Sequence, residues 1–141
     1  MKYIFLTQKF YDDYKNCPEI EQKIDRPYIQ VCIKINDYLF AVPLRSHITH
    51  KYVLWSDKEN SCGLDFSKAV LLLKPDEYID FTRSPYIRPN EFIALKGKEH
   101  IAEQKLLSFI KKYKKAKTKI QFPENKLICE YSTLQYFEEY L

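Results

Sequence analysis

The chain has 141 residues, enough for one compact domain with a real core. Lys and Arg total 23 against 19 Asp and Glu, and the net charge of +4 leans towards a polyanionic partner without requiring one. No stretch approaches the ~20 apolar residues of a spanning helix. Met1–Leu6, followed by Gln8 and Lys9, is too short for the apolar core of a secretory signal, so the expectation is a cytoplasmic protein with no membrane partner.

Lys2–Leu6 is a strand candidate with Tyr3 and Phe5 on one face. Thr7 is placed to cap a short helix through Tyr14, with Phe10 and Tyr14 four apart on one side. Cys17-Pro18 stops it, and residues 18–27 read as a surface linker. Tyr28–Ile35 and Tyr38–Leu44 have the β-branched and aromatic composition of strands. Asn36-Asp37 between them suits a two-residue hairpin turn. Pro43 cannot donate to a ladder, so it is expected on an edge or at the strand's end. Tyr52–Trp55 reads as a short strand or a packed loop, and polar Ser56–Cys62 with Gly63 as a turn. Ala69–Leu73 reads as a central strand, Pro75-Asp76 as a turn, and Tyr78–Phe81 as a further strand. Pro85 and Pro89 bracket a rigid connector carrying Arg83 and Arg88.

Asn90 is the predicted N-cap of the longest helix, which Gly97 weakens or breaks early. From Lys98 to about Lys117 the pattern is amphipathic, with Ala102, Leu106, Phe109, Tyr113 and Ala116 on one face. Lys111, Lys112, Lys114, Lys115, Lys117 and Lys119 crowd its end. The macrodipole favours some of them, but charges at this density repel, and an RNA backbone is the natural compensating partner. After Pro123, Ile128–Tyr131 reads as an edge strand, and Ser132 as the cap of a last helix, Leu134–Tyr140. Hairpins without regular βαβ alternation give an α+β domain spanning 1–141 with a mostly antiparallel sheet.

The chemistry concentrates just beyond the hairpin, where Arg45, Ser46, His47, Thr49, His50 and Lys51 follow one another closely. Two glycines in the whole chain cannot build a Gly-rich phosphate loop, and no Walker, nucleophile-elbow or dinucleotide motif is present. The four cysteines contain no C-x-x-C pair and require no disulfide; Cys32, inside an apolar strand, reads as core. His47 and His50 have no third ligand at a zinc spacing, so neither metal nor cofactor is expected. Metal-free RNA cleavage needs a base for the 2′-OH, cations for the charged phosphorane and an acid for the leaving 5′-oxygen. Histidine titrates near neutrality and serves as base or acid. Arg and Lys supply charge, and Ser46 or Thr49 a hydroxyl donor. Composition alone fits a solvated basic loop at least as well.

Residues 26–72, RPYIQVCIKINDYLFAVPLRSHITHKYVLWSDKENSCGLDFSKAVLL, resemble the toxins of type III toxin–antitoxin systems, the ToxN/AbiQ group, and are most similar to the TenpN branch, with CptN next. The carrying features are the strand-turn-strand, Pro43–Ser46, His50-Lys51 and Gly63-Leu64-Asp65-Phe66-Ser67-Lys68. The resemblance covers residues 1 to about 75, and the C-terminal STLQYFEEYL is similar as well. It implies a compact, barrel-like antiparallel sheet with surrounding helices, like the MazF/Kid toxins. It implies a metal-independent endoribonuclease that leaves 2′,3′-cyclic phosphate. The implied partner is a small repeat antitoxin RNA that the toxin processes and that binds it in a closed ring; cellular or phage RNA is the substrate. Ser46 matches the serine of the family's site, and Arg26 a basic position. Arg45 replaces a threonine and Ile48 a lysine, so His50 or Lys51 is expected to take the lysine's part. The expected catalytic set is Ser46, His50, Lys51, Arg45 and Arg26, with His50 favoured for proton transfer. Lys111–Lys119, Arg83 and Arg88 are the expected RNA contacts. The competing reading is a non-catalytic RNA-binding module.

Overall fold

The computed structural model describes residues 1–22 and 27–141. β1 (Tyr3–Leu6) leads into α1 (Gln8–Asp13), whose first turn is capped by the Thr7 hydroxyl accepting from Phe10 N–H at 3.3 Å. The hairpin is the centre of the sheet: β2 (Gln30–Ile35) pairs with β3 (Tyr38–Arg45) in a register running from Ile35↔Tyr38 to Gln30↔Pro43. Asn36 takes the left-handed turn conformation at φ 55°.

Pro43 sits inside this central strand, not at an edge or end. Leu44 donates to the Ile29 carbonyl on the β2 side at 2.8 Å, so position 43 faces the opposite side. There, β3 pairs through Phe40 and Ala41 with β6 (Val70–Leu71) and through Leu44 and Arg45 with β5 (Cys62–Asp65). The missing N–H falls in the gap between these two partners.

β4 (Val53–Asp57) pairs with β5, and the turn between them is a single 3₁₀ turn, Lys58–Asn60. Gly63, expected in that turn, lies instead within β5. A Cβ there would stand 2.5 Å from the Leu54 carbonyl oxygen and 2.8 Å from Val53 Cγ2, so the glycine lets two strands approach. The Ala69–Leu73 segment contributes only the short β6. Pro75 opens a helical turn, α2 (Pro75–Tyr78), before β7 (Ile79–Asp80) pairs with β1.

Among the described residues the sheet has seven strands in the order β4-β5-β3-β2-β1-β7, with β6 on β3, and its pairs are antiparallel. The molecule is therefore α+β. The sheet stays open, with β4 and β7 as unpaired ends, so the expected barrel is not closed. β7 offers only two residues for pairing, too few to bridge to β4, and α3 (Pro89–Leu95) packs against β4.

Pro89, not Asn90, starts α3, because proline's fixed φ suits the first helical position and its missing N–H costs nothing there. Gly97 at φ 75° separates α3 from α4 (Glu99–Lys117). Ala102, Leu106, Phe109, Tyr113 and Ala116 point inward from α4 as expected. Burial of each large side chain of this kind contributes roughly 1.5–3 kcal/mol before entropic costs. The expected strand Ile128–Tyr131 is instead the end of a helix, α5 (Pro123–Tyr131), again opened by proline. Ser132 caps the tail by accepting from Leu134 N–H at 3.1 Å, as expected, but the tail forms two 3₁₀ turns, Thr133–Tyr136 and Glu138–Tyr140. Among the described residues no helix is long and apolar enough to cross a membrane.

Candidate functional site

The end of β3 is organised by a residue on its neighbour. Asp65 closes β5, is fully buried, and caps the following 3₁₀ turn, Phe66–Lys68. Its Oδ1 accepts from Ser67 N–H at 3.0 Å, from Ser67 Oγ at 2.6 Å and from His50 Nε2 at 3.0 Å; its Oδ2 accepts from Arg45 at 2.7 Å. A buried carboxylate is tolerable only when paired and hydrogen-bonded in this way. Burial alone pushes the Asp65 pKa up, but the bonds from His50 and Ser67, the electrostatic influence of His50 and the Arg45 bond together hold it below the usual carboxylate value.

Arg45, the last residue of β3, also donates to Glu21 at 3.0 Å and lies 5.6 Å from the centre of the Tyr28 ring. Burial works against its charge, yet bonds to Asp65 and Tyr28 and the two facing carboxylates raise its pKa above the ordinary guanidinium value. Its charge is thus fixed and largely spoken for.

His50 is bonded at both ring nitrogens. Nδ1 accepts the Tyr52 backbone N–H at 3.0 Å, which leaves the proton on Nε2, donated to Asp65. Ser67 Oγ lies 3.3 Å from the same Nε2. In this arrangement neither nitrogen offers a proton or a lone pair to a substrate. His50 therefore orients the turn that follows β3, and the proton-transfer role expected of it requires one of these bonds to break first.

Between them the turn is anchored by Ile48, buried and donating its N–H to the Ser61 carbonyl at 3.1 Å. The apolar side chain of Ile48 suits this buried position. Ser46, His47 and Thr49 are left exposed on either side of Ile48. His47 takes a left-handed backbone at φ 58°, a conformation His adopts more readily than most residues, and no hydrogen bond among the described residues engages its ring.

Lys51 is exposed and begins a second feature. Its ammonium stands 5.7 Å from the centre of the Tyr52 ring, which packs between His50 at 5.7 Å and Phe109 at 5.0 Å. Between the start of β4 and α4 lies an open groove of about 250 Å³, lined by Lys51, Tyr52, Lys105, Ser108, Phe109 and Lys112. Burial first, then the Glu124 carboxylate, raises the pKa of the Tyr52 phenol.

The other expected contacts are spread over the surface. Arg26 lies outside the described residues. Arg83 donates to Asp80 at 2.8 Å, where the Thr82 hydroxyl, Arg83 and the Thr82 N–H pull the Asp80 pKa down to about 2. Arg88 pairs with Glu91 at 3.3 Å, and Glu91 also accepts from Ser56. Lys114 donates to the Leu141 carbonyl and Lys117 to Glu138, each at 2.9 Å. The C-terminal tail thus relieves part of the repulsion expected along α4. Lys111, Lys115 and Lys119 are exposed. Only Lys112 of that run reaches the groove, beside Lys51.

Asp65, Ser67, Tyr52, Lys105 and Ser108 were not among the expected site residues. Asp65-Phe66-Ser67 carries a weak signal, since Asp followed two residues later by Ser favours a local side-chain–backbone turn. The groove carries none, because its two walls are far apart in sequence. Among the described residues no group of three His, Cys, Asp or Glu side chains converges on a metal position. Comparisons with protein-family models, with curated proteins and with solved structures find no match to this chain.

Proposed function

We propose that the chain is a metal-independent endoribonuclease toxin of a type III system, held silent by a small repeat RNA. The observation that carries the reading is the exposed Ser46-His47 pair and Lys51 in a turn whose backbone is pinned by Asp65, His50 and Ile48. In the proposed reaction the 2′-oxygen attacks phosphorus and the P–O5′ bond breaks. His47 takes the 2′-OH proton, and Lys51 delivers one to the leaving 5′-oxygen. Ser46 Oγ donates to a phosphoryl oxygen, and Arg45, paired to Asp65 and Glu21, holds the end of β3 that carries it. The products are a 2′,3′-cyclic phosphate and a 5′-OH. The partners are the repeat antitoxin RNA, in a closed protein–RNA ring, and cellular or phage RNA in the cytoplasm. The fold would keep the hairpin sheet of the resembled group in an open form.

One observation favours a non-catalytic RNA-binding module: the engagement of both His50 nitrogens. Incubation of RNA with the protein in EDTA separates the two. Fragments with cyclic-phosphate and 5′-OH ends are expected. Retained RNA binding with no fragments would select the binding module.

A further inference from the structure

We propose that the groove between β4 and α4 is a subsite for one nucleotide of single-stranded RNA, with Lys105, Lys112 and Ser108 on its phosphate and the Tyr52 ring, backed by the buried Phe109, beneath its base. This rests on the RNA reading above and adds a subsite to it. The size is right for that occupant: about 250 Å³ lies just below the ~300–1,000 Å³ of pockets for drug-sized ligands. It is too small for a duplex.

The charge points the same way. Among the described residues, no carboxylate forms an ion pair with Lys51, Lys105 or Lys112, although Lys117 on the same helix is paired at 2.9 Å. Three ammonium groups line the groove, and the Glu124 carboxylate that acts on Tyr52 pairs with none of them, so a bound phosphate relieves their repulsion. Ser108 adds a neutral donor on the same wall. The floor is aromatic, with the Tyr52 and Phe109 rings 5.0 Å apart and tilted by 57°. Aromatic floors beside cationic walls hold bases without reading sequence. Lys51 is shared with the β3 turn, so a nucleotide in the groove lies next to the phosphate that the turn would handle.

The test uses a labelled 2′-O-methyl oligonucleotide, which cannot be cleaved, titrated by anisotropy over a salt series. A parallel assay follows cleavage of unmodified RNA. The Lys105→Gln/Lys112→Gln protein should bind more weakly, with the slope of log K against log salt flatter by about 0.7 to about 1.4, for one or two lost phosphate contacts. Lys34→Gln/Lys74→Gln, which removes the same charge elsewhere on the exposed surface, should leave the slope unchanged. Tyr52→Leu, which keeps an apolar contact on Phe109, should weaken binding about 5-fold to about 100-fold through lost stacking. Circular dichroism confirms that each variant is folded. Unchanged affinity and slope in the groove variant, or equal flattening in the charge-matched control, would overturn the subsite. Cleavage by wild type with an unaffected groove variant would leave the nuclease reading standing without the subsite. Groove-dependent binding with no cleavage would do the reverse.

Discussion

Arg45 and Lys51 belong to the same short stretch, yet their charges are treated in opposite ways. Arg45 is held between Asp65 and Glu21, on the edge of a buried network in which a single carboxylate accepts four hydrogen bonds. Lys51 stands exposed over an aromatic ring, facing two more lysines across a groove. The first arrangement spends its charge internally and fixes shape. The second leaves charge available to something outside the chain. Proximity in sequence says nothing about which fate a basic residue meets; the presence of a facing carboxylate decides it.

That contrast breaks most severely at Asp65. Asp65→Ala removes one of the two carboxylates on Arg45 and the partner of His50 Nε2 together. Breaking a buried ion pair typically costs about 3–5 kcal/mol; because Arg45 keeps Glu21, the lower end of that range is expected in urea unfolding. Substitutions of Lys51 or Lys105 to Gln should stay within about 0.5 kcal/mol, as exposed sites usually do. If Asp65→Ala unfolded no more easily than Lys51→Gln, the network would not be structural.

Ser67→Ala is the next test. It deletes one donor to a charged, buried oxygen, an interaction worth about 1.5–3 kcal/mol. It also changes the acid limb of stability. Asp65 is held low in the folded chain, so near its unfolded value of about 3.9 the unfolded state binds more protons. The stability it supplies is full above that pH and is lost as pH falls through the folded value. Without the Ser67 donor the folded value rises towards the unfolded one, so Asp65 contributes less stability above that pH and a shallower acid limb. A thermal-melt series from pH 6 down to pH 2 reads this directly, and a limb as steep as wild type would contradict it.

Gly63→Ala sharpens the comparison because the β4–β5 contact carries both regions, pairing Val53 with Asp65. The new methyl would meet the Leu54 carbonyl at 2.5 Å, and overpacking of this kind costs about 1–3 kcal/mol. The strands must part, moving the groove wall at Tyr52 relative to Asp65. Lower stability together with weaker oligonucleotide binding is expected in one protein. Lower stability with unchanged binding would mean that the groove does not depend on this strand pair.

These same contacts mark the limit of what was legible in the sequence. The Thr7 cap, the Asn36 turn, the long helix from Gly97 onward and the Ser132 cap were readable, because each is decided by residues within a few positions of itself. Ile128–Tyr131 reads as a strand but is helical: its apolar composition is ambiguous over so short a run, and Pro123 at the first helical position starts the helix. β5 was invisible because Cys62-Gly63-Leu64-Asp65 has neither length nor alternation, and it is a strand only because β3 and β4 flank it. The role of Asp65 follows from that pairing and could not precede it. Ser46 and Lys51 were legible as chemistry-bearing types, while the occupation of both His50 nitrogens depends on long-range geometry.

The smallest expected effect on stability is the most informative about function. Ser46 is exposed, one residue past the strand, and among the described residues no hydrogen bond engages it. Ser46→Ala should therefore alter unfolding by no more than about 0.5 kcal/mol. If its hydroxyl stabilises a phosphorane oxygen, its loss acts only on the transition state, where removal of one such donor costs about 10²–10³ in rate. Growth arrest on expression should then fail at normal protein levels. The comparison with His50 makes the test discriminating. His50→Ala should lower stability and activity together, since its ring holds Tyr52 to Asp65. His47→Asn, which keeps a residue tolerant of the left-handed backbone at φ 58°, should behave like Ser46→Ala, leaving the fold unchanged and the rate down by about 10²–10⁴, as for a lost acid or base. If a stably folded Ser46→Ala protein still arrested growth fully, the serine would be an ordinary turn residue, and the hydroxyl donor would have to be sought at Thr49.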